Sequence, residues 1–243
     1  MVNVMIRAVH EYTNHLQLIL LFSFSVLVAL LIPVFASLPS YNSIGAIFLR
    51  NANLSLGISP VSAVVIIVST LISLLFLSFA IVAINVIVKH SRTHTKITKE
   101  VVMGLERYTG RVFGLLLLFT VIFTALTVSS YIYGFPIWIS YIVVLLLTPF
   151  FFYAPSSIVI DETRASNAMK KSANFFVKRF DYFVLWLAVA VVLLTALDFI
   201  FIAIGGPMLA GYIALVFDSF FVLPFLITLQ SESYIKRFGL LKD

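Results

Sequence analysis

Six long apolar stretches constrain the fold of this chain more than any other feature. About 20 apolar residues of helix are needed to cross the ~30 Å hydrocarbon core of a bilayer, and a helix satisfies its own backbone groups there. The stretches cover residues 16–35, 61–88, 113–133, 137–153, 183–204 and 208–229. Since 62% of the 243 residues are hydrophobic and 11% are charged, we predict an all-α, polytopic membrane protein with one integral membrane domain, residues 1–243.

Two of the connections between these stretches are too short to be anything but turns. Residues 134–136 read Gly-Phe-Pro and residues 205–207 read Gly-Gly-Pro, and Gly and Pro interrupt helices. The remaining long outer loop, residues 36–60, joins the first two stretches. The sequence therefore predicts six transmembrane helices arranged as three hairpins.

The basic residues are distributed very unevenly between the two sides of these hairpins. Of the 16 Lys and Arg, 15 lie on the side that holds both termini, and only Arg50 lies on the other. Because Lys and Arg in short loops mark the cytoplasmic face, we expect a cytoplasmic (plasma) membrane protein with both termini inside. Anionic lipid headgroups on that face are the expected partners, and nucleic acid is not, because the basic residues lie close to the membrane. Asn53 begins the sequon Asn-Leu-Ser in the outer loop and is a candidate for glycosylation.

A short repeated pattern precedes each odd-numbered stretch. In each case a small residue is followed by an aromatic residue four positions later and by a basic residue three positions beyond that. The three sets are Ala8, Tyr12 and His15; Gly104, Tyr108 and Arg111; and Ser172, Phe176 and Arg179. These segments predict amphipathic interfacial helices on the cytoplasmic side, over about residues 3–15, 97–111 and 162–180.

The third of these segments shows two distinct faces. Small and apolar residues recur at helical spacing from Ala165 to Phe180, and polar residues occupy the opposite face. Asp161 and Glu162 are expected to cap its N-terminus. The apolar face has two interpretations, burial in lipid or packing over the hairpin mouths. The basic residues expected to contact the membrane surface or a partner are Arg111, Lys170, Lys171, Lys178 and Arg179.

The same region resembles a known family. Residues 155–162 read Pro-Ser-Ser-Ile-Val-Ile-Asp-Glu, and residues 168–172 read Ala-Met-Lys-Lys-Ser. This order is similar to a signature of poorly characterised six-helix prokaryotic integral membrane proteins, which are related to the membrane domain of glycerophosphodiester phosphodiesterases. Members often have an aromatic residue after the Ser, where this chain has Ala173. The resemblance implies an architecture and a membrane role without a substrate, and the chain has no room for the phosphodiesterase barrel itself.

Two acidic residues inside the apolar stretches are the main candidates for chemistry. Asp198 and Asp218 are costly in a bilayer and are expected to face protein or water, where a shared cavity would make them responsive to protons or cations. The alternative is that Asp198 reaches outer water and Asp218 is satisfied by hydroxyl groups. No catalytic, metal or cofactor site is predicted. His90 and His94 have helical i,i+4 spacing, but neighbouring Lys and Arg would repel a metal ion.

Three classes of function follow. The first is a non-enzymatic structural, scaffold or accessory subunit that forms a homo-oligomer or joins a larger membrane complex, which suits the many Phe and small residues available for helix packing. The second is a small transporter or channel that uses Asp198 and Asp218. The third is a lipid-active membrane enzyme, which would require titratable groups that converge at one headgroup level.

Overall fold

The fold consists of long helices joined by short connections. The structure is a computed structural model that describes residues 2–35, 60–91, 97–134 and 136–236. No strand occurs among these residues. The helices are α1 (Val2–Asn14), α2 (Leu16–Phe35), α3 (Pro60–His90), α4 (Ile97–Tyr133), α5 (Ile137–Phe151), α6 (Ala154–Ile160), α7 (Ala165–Lys178), α8 (Phe180–Phe217), a π-helical turn (Asp218–Val222) and α9 (Leu223–Ile235). The predicted all-α class is confirmed.

Several of these helices are suited to a membrane. Within the described parts of the chain, five segments are long and apolar enough to cross a bilayer. The pair formed by α1 and α2 makes a sixth when it is counted as one span, and the two helices are bent by 89° at His15. The chain is therefore membrane-embedded by length and composition, with five or six spans.

The buried core lies at one end of the long helices. In α3, residues 82–88 are buried, whereas Val64 and Ile67 near the start of the helix are 60% and 58% exposed. In α4 the buried apolar residues lie between Val101 and Leu115, and Ile132 near the end of the helix is 67% exposed. The two buried ends flank the connection between α3 and α4. Protein packing is thus concentrated at the end of the bundle where the sequence places most basic residues.

The segment predicted as the fifth and sixth spans differs from expectation in its boundaries. The predicted turn at residues 205–207 lies within α8, which continues from Phe180 to Phe217. The rings of Phe201 and Phe217 are nevertheless 5.5 Å apart, and the indole Nε1 of Trp186 donates to the carbonyl oxygen of Leu226 at 2.8 Å. Sixteen residues of straight helix would separate the two Phe positions by about 24 Å. The chain therefore reverses direction within α8, although the helix has no interruption between Phe180 and Phe217.

The predicted interfacial helices are also corrected in part. Residues 97–111 do not form a separate helix, because α4 continues from Ile97 into the apolar stretch without a break. The third segment begins later than expected, since α7 starts at Ala165. Its N-cap residue is Arg164, which makes no side-chain capping bond. The prediction that Asp161 and Glu162 cap this helix is wrong, because both precede its first turn by several residues.

The apolar face of α7 packs on protein. Ala168 and Ser172 are fully buried, and Phe175 and Phe176 are nearly so. The helix lies against α5 and α6, and the Phe175 ring is 4.7 Å from that of Tyr153. From Ala168 to Phe176 the face therefore packs against other helices and not against lipid, whereas Phe180, at its end, is 52% exposed.

Candidate functional site

A buried carboxylate with several polar partners is that of Asp161, which follows the last residue of α6. Its side chain is 4% exposed. One carboxylate oxygen, Oδ2, accepts hydrogen bonds from the Lys171 ammonium at 2.8 Å, the Tyr234 hydroxyl at 2.9 Å and the Ser157 hydroxyl at 3.4 Å. Asp161 thereby connects α6 to α7 and to the C-terminal end of α9.

The neighbouring Glu162 faces a second group of cations. Its Oε1 lies 2.8 Å from the Lys89 ammonium of α3, and its Oε2 lies 3.0 Å from the Arg107 guanidinium of α4. Lys89 also donates to the carbonyl oxygen of Val159 at 3.2 Å. We call Asp161 and Glu162 together the acidic corner. It connects α3, α4, α7 and α9.

The backbone at Glu162 adopts a conformation that is unusual for a residue with a side chain. Its φ is +55°, in the left-handed region, which costs a non-glycine residue roughly 1–2 kcal/mol. In this conformation the carboxylate contacts both Lys89 and Arg107. Strain of this kind persists where surrounding contacts fix the geometry.

Electrostatics at the acidic corner favour the charged carboxylate. The hydrogen bond from Lys89, together with the positive charges of Lys89 and Arg107, holds the pKa of Glu162 below its ordinary value despite partial burial. Tyr108 adds a further hydrogen bond to Glu162. Glu162 is therefore ionised at neutral pH, and its carboxylate pairs with both cations.

Ser172 forms hydrogen bonds on both sides of the interruption between α5 and α6. The Ser172 hydroxyl donates to the carbonyl oxygen of Pro149 at 2.7 Å and accepts from the backbone N–H of Tyr153 at 3.0 Å. In an uninterrupted helix that N–H and that carbonyl would bond directly. The hydroxyl is thus inserted into the helical hydrogen-bond ladder, a recognised cause of helix bending.

The predicted membrane-surface residues have different environments. Arg111 donates to the carbonyl oxygen of Thr163 at 3.4 Å, and Lys171 binds Asp161. Lys170, Lys178 and Arg179 are exposed. Asn53, proposed for glycosylation, lies outside the described residues, as does Arg50.

The two intramembrane aspartates are both buried, with Asp198 8% and Asp218 3% exposed. They are close enough for Asp198 to act electrostatically on Asp218. Asp218 Oδ1 has no hydrogen-bond partner within the part of the chain that the structure describes. Asp218 also begins the π-helical turn, and such turns are frequent at functional sites.

No sequence pattern identified Lys89, Arg107 or Tyr234 as site residues, although all three bind the acidic corner. Their contacts with it span 55 to 73 residues along the chain. Two adjacent acidic residues in an otherwise basic region were the available signal. Such residues require cationic partners, but helical periodicity does not identify them.

Comparisons with known proteins give no relative. No protein-family model matches the chain, and no curated protein or solved structure matches it. The resemblance carried by residues 155–162 and 168–172 therefore stays a prediction.

Proposed function

We propose that this chain is a non-enzymatic, multi-pass scaffold or accessory subunit of the cytoplasmic membrane. The acidic corner carries this proposal, because its two carboxylates bind cations from α3, α4 and α7 and a hydroxyl from α9. In this arrangement the carboxylates of Asp161 and Glu162 hold helices together. It supports a role in which a fixed membrane shape is presented to partners.

The exposed apolar surface supports the same role. The ends of α3 and α4 that lie far from the acidic corner have little protein around them, and Ile67 and Ile132 are more than half exposed. Lipid or the helices of partner subunits would cover this surface. We infer that a homo-oligomer or a larger membrane complex forms there.

The proposed arrangement is three hairpins with both termini inside and the basic residues of the inner loops at the cytoplasmic face. The 15 to 1 distribution of Lys and Arg supports this orientation. The contacts of Lys89, Arg107 and Lys171 with one corner agree with placing two of the basic loops on the same side. On the family resemblance, we propose kinship with the six-helix prokaryotic membrane proteins named above.

The absence of cysteine from the sequence makes the orientation directly testable. Ser91→Cys and Ser55→Cys each introduce one thiol, on the inner and outer sides respectively. In intact cells a membrane-impermeant maleimide should label only the second variant, and permeabilisation should expose the first. The opposite pattern would refute the proposed orientation.

Co-purification in a mild detergent tests the function. We expect a complex of fixed stoichiometry, containing further copies of this chain or other subunits, that persists through size-exclusion chromatography. Full activity of the isolated monomer in ion or substrate transport would refute the scaffold role.

A specific observation favours a small transporter or channel as the second candidate. Asp218 Oδ1 is buried without a hydrogen-bond partner among the described residues, and Asp198 lies near it. Buried carboxylates of this kind occur on proton and cation pathways. Ion flux into liposomes containing the purified protein, lost in Asp218→Asn and kept in Ser219→Ala, would establish this function, and equal flux in both variants would exclude Asp218 from it.

A further inference from the structure

A shallow cleft of about 170 Å³ lies along one face of α7 where that helix meets α8. Its lining residues are Lys171, Asn174, Phe175, Lys178 and Arg179. The first four recur at i, i+3, i+4 and i+7 and therefore share a side of the helix. Arg179 is the residue between α7 and α8, where the helical backbone is interrupted.

The chemistry of this cleft suits a phosphate group. Lys171 is held by Asp161 at 2.8 Å, whereas Lys178 and Arg179 form no ion pair with any described residue. The Arg179 guanidinium lies 5.7 Å from the centre of the Tyr182 ring, which restricts its orientation. An ammonium, an oriented guanidinium and the amide of Asn174 line the same cleft and are donors suited to phosphate oxygens. The volume is below the roughly 300 Å³ of sites for drug-sized ligands.

The position of the cleft favours a lipid as the source of the phosphate. Arg179 immediately precedes Phe180, the first residue of a segment long and apolar enough to span a membrane. Basic residues at the ends of spans lie at the level of the headgroups. Val177 and Phe180, which flank Lys178 and Arg179 in the sequence, are 75% and 52% exposed. These apolar side chains can enter the acyl region while Lys178 and Arg179 contact a headgroup.

We propose that the cleft formed by Lys171, Asn174, Lys178 and Arg179 binds the phosphate of an anionic phospholipid headgroup. This inference rests on the proposed placement of the basic residues at the cytoplasmic membrane surface. The bound lipid would fix the junction of α7 and α8 at the interface, beside the acidic corner that Lys171 joins.

Native mass spectrometry of the full chain in detergent tests the proposal. The probes are phosphatidylglycerol, phosphatidylcholine as a zwitterionic lipid, and inorganic phosphate alone. The test variant is Lys178→Gln with Arg179→Gln. Its matched control is Arg164→Gln with Lys170→Gln, which removes the same charge from exposed positions of the same region outside the cleft.

We expect tight binding of phosphatidylglycerol that weakens by about 25-fold in the test variant, at roughly fivefold for each basic side chain removed. The control should bind nearly as the wild type does, and the charge-preserving variant Lys178→Arg with Arg179→Lys should retain most of the affinity. Size-exclusion profiles establish that each variant is folded.

Three results would overturn the assignment. They are equal retention of phosphatidylcholine, equal losses in the test and control variants, and competition by inorganic phosphate at concentrations that match the lipid. Because lipid binding is measured on the isolated chain, it is independent of co-purifying subunits. Failure of the scaffold proposal and failure of the lipid site are therefore distinguishable.

Discussion

The ion pair between Asp161 and Lys171 should respond asymmetrically to removal of either partner. The Asp161 side chain is 4% exposed and that of Lys171 is 39% exposed. Lys171→Met leaves a buried carboxylate that keeps the neutral hydroxyl donors of Tyr234 and Ser157, whereas Asp161→Asn leaves an ammonium that water can solvate. Loss of the lysine is therefore expected to be more destabilising than loss of the negative charge.

The expected losses of stability follow from the exposed fractions of the Asp161 and Lys171 side chains. Removing one partner of a fully buried ion pair costs roughly 3–5 kcal/mol, and an exposed pair contributes about 0–1 kcal/mol. The hydrogen bonds from Tyr234 at 2.9 Å and Ser157 at 3.4 Å remain in Lys171→Met and offset part of the loss. We expect about 2–3 kcal/mol for Lys171→Met, about 1–2 kcal/mol for Asp161→Asn, and about 2 kcal/mol for the double variant.

Titration with SDS in mixed micelles, followed by tryptophan fluorescence, measures these free energies. Trp186 is a suitable reporter because it is buried and bonded to α9. Lys170→Met removes an exposed charge one residue away and should change stability by less than about 0.5 kcal/mol. Equal effects of Lys170→Met and Lys171→Met, or additive effects of the two corner substitutions, would refute the reasoning.

Three further predictions use the same titration. A Cβ on Gly104 would lie 2.6 Å from Cγ2 of Val86, so Gly104→Ala should cost about 1–3 kcal/mol, while Gly110→Ala, which meets nothing within 4 Å, should not destabilise. Ser172→Ala leaves a buried carbonyl and N–H unbridged at the α5–α6 break and should cost about 1–3 kcal/mol; an unchanged midpoint would mean that the bridge contributes nothing. Since the pKa of Glu162 is lowered on folding, its stabilising contribution is present above the unfolded pKa of about 4.3 and is lost as the pH falls through its lower folded value. Glu162→Gln should remove that part of the acid sensitivity, and an unaltered pH profile would contradict the ion pairs at the corner.

Apolar length predicted the helices well, because the cost of leaving backbone groups unbonded in hydrocarbon permits few alternatives. Their boundaries were less predictable. Residues 97–111 carry an amphipathic pattern, yet no Gly-Pro turn separates them from residues 113–133, and α4 runs through both. In residues 162–180 the pattern included Ala168, Ser172 and Phe176, which are buried, but it also included Phe180, which is 52% exposed. Periodicity alone does not distinguish protein from lipid as the environment of that face.

The acidic corner shows why the site was only partly predictable. Local rules placed Asp161 and Glu162 at a helix N-terminus, since acidic residues commonly stabilise such ends. The structure instead places them in a connection, where their partners come from α3, α4, α7 and α9. Lys89 is 73 residues from Glu162, and Tyr234 is 73 residues from Asp161. Contacts at this range depend on how the helices are arranged, which no local pattern contains.

Two of the three repeated segments share a physical role that their sequence pattern did not reveal. Pro224 lacks the N–H that would bond the carbonyl of Phe220 in a helix, and the Tyr12 hydroxyl donates to that oxygen at 3.3 Å. Ser172 bridges the α5–α6 break, and Tyr108 bonds Glu162. Tyr12 and Ser172 thus each bond a backbone carbonyl at an irregular part of a helix, whereas Tyr108 bonds a side-chain carboxylate. Because irregular backbone at membrane depth persists only where protein supplies its missing partners, the breaks and the segments that satisfy them are expected to depend on one another for stability.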